Sequence, residues 1–267
     1  MKTKFIILGC GNSFGTPRID GYWGKSKKEN SKNLRTRCSA LIIKGSNSVL
    51  IDTSPDIRFQ LIKNKIKNIT NVLYTHEHSD QTNGIFELRP FAFEKNKKNK
   101  INFWSKSKPI NVYGSKKTIS LLKRRFDYCF RKIDIYPPIV RGNIIKKNFS
   151  LGKGINTIKF KTIQARHGNV SVTIYIFNKT AYLSDCNDLS IINKNELKNL
   201  NLMIIDCLNI KGGPAHFGLN QCLMINEILK PKKMVLTNMH YEMDYNFLSK
   251  RLPKNMVVGF DGLKFVL

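Results

Sequence analysis

Residues 75–84 read "THEHSDQTNG". Two histidines, His76 and His78, stand one residue apart. Asp80 follows two positions later, and Gly84 closes the stretch. Imidazole nitrogens and a carboxylate at this spacing form a metal-binding pattern, since imidazole suits zinc and other transition metals. A tight turn after a strand would direct both His76 and His78 at one ion. Gln81 stands next to Asp80 and offers only a neutral amide oxygen.

The other three histidines are His167, His216 and His240. Each, like the first pair, comes just beyond a short apolar run: "NVLYT" before His76, "TIKFKTIQAR" before His167, "NLMIID" upstream of His216 and "KKMVLTNM" before His240. Asp52 after "SVLI", Asp185 after "TAYLS" and Asp206 after "LMII" share this placement. In layered α/β folds the carboxyl ends of strands are where loops converge on a ligand. Asp80 and Asp185 supply hard oxygens, and a carboxylate can bridge two ions that clamp a phosphoryl oxygen. His216 is surplus as a ligand and reads as a proton donor near the site. Asp52 and Asp56, in "IDTSPD", read either as orienters of the histidines or as helix caps.

Strand-length apolar runs alternate with helical stretches throughout, which predicts α/β layers in a single domain, 1–267. Strands are expected at 5–8, 39–43, 48–51, 71–74, 110–113, 157–164, 172–177, 181–184, 202–205, 234–237 and 257–260. A helix is expected after Ser54, with Ser54 as cap and Pro55 in the first turn. Others are expected over 84–94, 116–126, 189–200, 218–229 and 245–252. Two polar segments, 19–37 and 95–108, read as surface insertions. The second, "KNKKNKINFWSKSK", embeds two aromatics in a basic run and is also a candidate nucleic-acid patch.

The chain has 267 residues, enough for one sizeable core. Its apolar runs are too short for a transmembrane helix or a secretory leader, so a cytoplasmic protein is expected. Six cysteines without a C-x-x-C pair fit free thiols in a reducing compartment. The net charge of +28 favours anionic partners. Lys, Asn and Ile dominate over Arg, however, which is what an A/T-rich coding sequence produces, so much of the charge reads as compositional.

The order T-H-x-H-x-D, then H-G, S-D and a late H, resembles the metallo-β-lactamase superfamily. "ILGCGNSFGTPRI", "RTRCSALI", "VLIDTSPDIRFQL" and "MHYEMDY" resemble its PhnP-like cyclic phosphodiesterase branch across about residues 3–260. The resemblance implies a four-layer αββα sandwich with two divalent ions, Zn²⁺ or Mn²⁺. His76, His78 and His167 would hold the first, Asp80 and His240 the second, and Asp185 would bridge them. Asp80, Asp185 and His216 would be catalytic, and a metal-bound hydroxide would open a small anionic (cyclic) phosphodiester. Gln81 replaces the family's usual histidine and weakens the second site. The segment 18–33 lacks the branch's cysteine cluster, so no structural zinc is expected. Two other readings are an RNA-processing nuclease of the same superfamily and a weakly metallated, non-enzymatic binding module. Homodimers occur in the superfamily.

Overall fold

The computed structural model describes residues 1–93, 108–190 and 194–267. Two seven-stranded sheets face each other. The first is built from β1 (Lys4–Gly9), β2 (Ser39–Lys44), β3 (Asn47–Ile51), β4 (Asn71–Leu73), β5 (Ile110–Gly114), β6 (Val140–Ile144) and the last strand of the chain, β14 (Lys264–Val266). The second holds β7 (Asn148–Leu151), β8 (Ile158–His167), β9 (Val170–Phe177), β10 (Thr180–Leu183), β11 (Leu202–Asp206), β12 (Met234–Thr237) and β13 (Met256–Val258). The orders are β14-β1-β2-β3-β4-β5-β6 and β13-β12-β11-β10-β9-β8-β7. Each sheet starts antiparallel and becomes parallel, from β3 onward in the first and from β10 onward in the second.

Alternation along the strands divides the core. In β1, Phe5 and Ile7 enter the core between the sheets, while Ile6 and Leu8 enter the core on the outer face. Ala40 and Ile42 against Leu41, and Val49 and Ile51 against Leu50, repeat this split in β2 and β3. A period of two puts successive side chains on opposite faces, so strands apolar at every position are strands buried on both. The outer face of the first sheet is covered by α1 (Ile57–Lys63), α3 (Lys116–Arg125) and α4 (Asp127–Phe130), through Ile57, Leu61, Ile119, Leu122 and Cys129. A single turn, α2 (Ser79–Thr82), follows the histidine pair. On the second sheet, α5 (Leu219–Leu229) and α6 (Tyr245–Ser249) bury Leu219, Cys222, Leu229 and Leu248. The layers run helix, sheet, sheet, helix.

Differences from the expected elements have local causes. The first helix begins at Ile57 rather than at Pro55, because Asp56 is held by Arg37 at 2.6 Å and Ser54 Oγ accepts the Asp56 N–H. The helix expected over 84–94 is a 3₁₀ helix, Ile85–Phe91, with Pro90 inside it; proline removes one N–H donor and favours a short, tight element. In the described part of 189–200, the only helical turn is the 3₁₀ turn Lys194–Leu197. β6, β7 and β14 went unexpected; all three are edge strands, short and polar. The segment 19–37 is bound into the fold: Lys27 N–H and Asn33 Nδ2 donate to Asp244, and the buried Arg35 donates to the Met243 carbonyl at 2.6 Å. The basic run 95–108 lies outside the described residues, save Lys108. No helix among the described residues is long and apolar enough to cross a membrane.

Candidate metal centre

The site lies where both sheets end. Three residues just past strand ends have left-handed backbones: Asp52 after β3, Asp185 after β10 and Asn238 after β12, with φ of 59°, 53° and 60°. Asp and Asn tolerate this region because their short polar side chains bond locally. The left-handed turn stops the strand and swings the next side chain toward the gap between the sheets.

β4 delivers the histidine pair. Thr75 anchors the approach: its N–H and its hydroxyl both donate to the buried Asp52 carboxylate, each at 2.8 Å. With its proton committed, Thr75 Oγ1 accepts from His76 Nδ1 at 3.0 Å. The His76 proton therefore sits on Nδ1, and the lone pair is on Nε2. That Nε2 atom is buried and has no hydrogen-bond partner. Burial pushes the His76 pKa down to about 3, so the ring stays neutral, as a metal ligand must. His78 is also lowered, mainly by burial.

His167 ends β8 at a two-residue turn, where Gly168 takes a φ of +56° that a side chain would resist. Its Nδ1 lies 2.7 Å from the Ala215 carbonyl, which can only accept. Nδ1 is thus the protonated nitrogen, and Nε2 is free to ligate. The rings of His76, His78 and His167 lie 4.5–5.2 Å apart, centre to centre, all edge to face. One potential ligand atom from each falls within 4.8 Å of the other two. An orphaned buried nitrogen and three imidazoles turned toward one another fit a divalent ion well.

A second group, His167, Asp185 and His216, adjoins it with the same mutual reach. Both oxygens of Asp185 accept protein hydrogen bonds. Its Oδ2 accepts from Ser184 Oγ at 2.7 Å and from Gln81 Nε2 at 2.9 Å, and its Oδ1 accepts from Asn238 Nδ2 at 3.0 Å. Burial raises the Asp185 carboxyl, but the facing histidines and the Ser184 hydroxyl outweigh it and hold the group below its usual value. Asp80 has the opposite fate: burial, then the Asp185 charge, push it up to about 6. His216 Nδ1 lies 2.8 Å from Asp206 Oδ2. Burial works against protonation of His216, but the Asp206 carboxylate prevails and raises it to about 9.

The structure thus brings His76, His78, Asp80, Gln81, His167, Asp185 and His216 into one neighbourhood. It does not bring His240 there. Among the described residues His240 belongs to neither group; its ring stacks on Tyr241 at 3.6 Å, and its Nδ1 accepts the Glu242 N–H. The side chain that reaches Asp185 from the end of β12 is Asn238, two residues earlier. Asp56 pairs with Arg37 and orients no histidine. Sequence reasoning missed Asn238, Thr75 and the Asp206–His216 pair. The available signal was position: the first residue after an apolar strand, as with Asp52, is the one that turns inward.

Two sheets between helices, with imidazoles and carboxylates gathered at their strand ends, define the metallo-β-lactamase sandwich. A family model described as a beta-lactamase superfamily domain matches residues 47–241, and the chain belongs to that superfamily. Among solved structures it is similar to a diphosphatase from the PhnP family, at 27% identity and a TM-score of 0.86 over 100% of this chain and 98% of that one. The Zn²⁺-bound PqqB of Methylobacterium extorquens shares the fold at 15% identity and a TM-score of 0.76, over 99% and 100%. Human tRNase Z, short form, does so at 14% and 0.65, over 98% of each. A curated relative, an octanoyltransferase of Porphyromonas gingivalis, is 27% identical over 99% of this chain. The chain spans about half of that relative's length, 51%.

Proposed function

We propose that this chain is a metal-dependent phosphoric diester hydrolase acting on a small anionic substrate, such as a cyclic phosphodiester of a ribose phosphate or a nucleotide-like ester. The observation that carries this reading is the orphaned Nε2 of His76 within the cluster of His76, His78 and His167, with the His216–Asp206 pair beside it. The similarity to a PhnP-family diphosphatase supports phosphoryl chemistry.

A divalent ion, zinc or manganese, held by His76, His78 and His167 would supply a Lewis acid that polarises a phosphoryl oxygen and acidifies water. The chain's own groups do the rest. Asp80 accepts the proton of the attacking water. The water oxygen bonds to phosphorus as the ester P–O bond breaks. His216, held by Asp206, donates a proton to the departing oxygen, leaving an alcohol and a phosphate monoester, which stay on one molecule when the diester is cyclic.

Substrate charge is met by a cleft of about 770 Å³ beside the loop that leads to His216. Lys25, Lys27, Lys211, Lys250 and Arg251 line it, with Glu242 and Asp244 as its acidic members. His240 also lines this cleft. Six buried, unpaired cysteines support a reducing, cytoplasmic setting.

The test is metal analysis of protein purified without chelator, alongside hydrolysis of bis-p-nitrophenyl phosphate, a ribose 1,2-cyclic phosphate, a nucleoside diphosphate and a precursor tRNA. Chelator-sensitive cleavage of the diesters is expected. Cleavage of the tRNA alone would move the reading to a nuclease. Metal-free protein inactive on all four would overturn it.

A further inference from the structure

Metallo-hydrolases with a carboxylate bridge use it to join two cations. In this chain the bridge is already occupied by protein. We propose that the site holds one divalent ion, at His76, His78 and His167, and that the side-chain amides of Gln81 and Asn238 stand where a second ion would sit. This rests on the metal-hydrolase reading above and replaces the two-ion expectation drawn from the sequence.

The geometry is specific. Gln81 Nε2 lies 2.9 Å from Asp185 Oδ2 and 3.3 Å from Asp80 Oδ2, so its two N–H bonds link these two carboxylates. Asn238 Nδ2 lies 3.0 Å from Asp185 Oδ1 and 3.2 Å from Asp206 Oδ1, linking a second pair. A cation beside Asp185 would draw on the same oxygens. With no cation between them, turning either amide over would set a carbonyl against two carboxylates. For Gln81 the orientation holds even though it leaves Oε1 buried without a partner. An unmade bond at a neutral oxygen costs less than setting that oxygen against a carboxylate.

Both amides are locked. Gln81 and Asn238 are buried, at 0% and 1% exposure. The Gln81 backbone carbonyl accepts the Thr53 N–H, and Asn238 follows the buried β12 directly. No charged or imidazole donor from β12 reaches Asp185, since His240 faces Tyr241 and Glu242 instead. Among the described residues the other metal-capable groups near Asp185 are His167, already counted at the first ion, His216, tied to Asp206, and Asp80, tied to Gln81. One ion and two amide bridges therefore complete the centre.

The experiment is metal stoichiometry. Full-length protein is loaded with Zn²⁺ or Mn²⁺, passed through a desalting column and measured by mass spectrometry of the metal and by titration calorimetry. One equivalent per chain is expected for the wild type, and the Mn²⁺ form should show the six-line spectrum of an isolated ion in electron paramagnetic resonance. The double variant Gln81→His plus Asn238→His should take up a second equivalent. Two equivalents in the wild type, or a spin-coupled manganese pair, would overturn the single-ion assignment alone. A folded double variant that stays at one equivalent would overturn it too. No metal at all would sink the hydrolase reading along with it. Because the wild-type count and spectrum decide the question, a double variant that fails to fold leaves the test intact.

Discussion

Thr75 shows how much one hydroxyl can determine. It passes the Asp52 carboxylate on to His76 Nδ1, and so sets the tautomer that frees Nε2. Partners that orient a ligating imidazole in this way contribute about 10–100-fold to metal affinity. Thr75→Val keeps the shape and removes the relay, so Zn²⁺ affinity should fall within that range in a chelator-competition titration. An unchanged affinity would show that the tautomer is set elsewhere. His240 offers the complementary comparison. His240→Ala should keep the wild-type metal content, while His167→Ala should lose the ion, both read by mass spectrometry of the metal.

At the scale of elements, the short helix α6 ties a distant segment to the site's rim. Asp244 accepts the Phe247 N–H at 2.9 Å as its cap, and also accepts from Lys27 N–H at 3.2 Å and Asn33 Nδ2 at 2.8 Å. The loop running to Arg35 is thereby fastened to the start of α6 and beside the basic cleft. Asp244→Ala removes a cap and leaves the Asn33 amide short of a partner. It should cost about 1–3 kcal/mol in chemical denaturation. The same variant should expose 19–37 to limited proteolysis, and equal cleavage rates would show that the loop is held by other contacts. Most strands were readable as short apolar runs because they are buried on both faces. β6, β7 and β14 were not, because edge strands owe their form to a neighbour's free N–H and C=O groups rather than to apolar side chains. The helix expected from Ser54 starts late for a related reason: Asp56 is taken by Arg37, a contact 19 residues away.

Across the whole molecule, the sandwich core is what brings the two halves of the site together. Phe5 of the first sheet packs on Phe177 and Tyr182 of the second, with ring centres 5.9 and 6.2 Å apart, and is fully buried. Tyr175 of β9 reaches across to the Tyr74 carbonyl at 2.7 Å, next to the histidine turn. Phe5→Ala should destabilise by about 3–5 kcal/mol, seen as a lower denaturation midpoint at constant slope. A loss below about 1 kcal/mol would mean that the sheets are held mainly at their ends.

The sequence by itself supplied the donor types, histidines and aspartates that follow runs apolar enough to be buried. It also marked Gln81 as the weak point of the second position. Only the tertiary structure decided which side chains meet. Asn238, at a left-handed φ of 60° just past β12, turns toward Asp185, whereas His240, two residues later, has left the strand's end and stacks on Tyr241. Spacing along the chain cannot separate these two outcomes, because the direction of the first side chain after a strand depends on the backbone turn that the packed sheets impose.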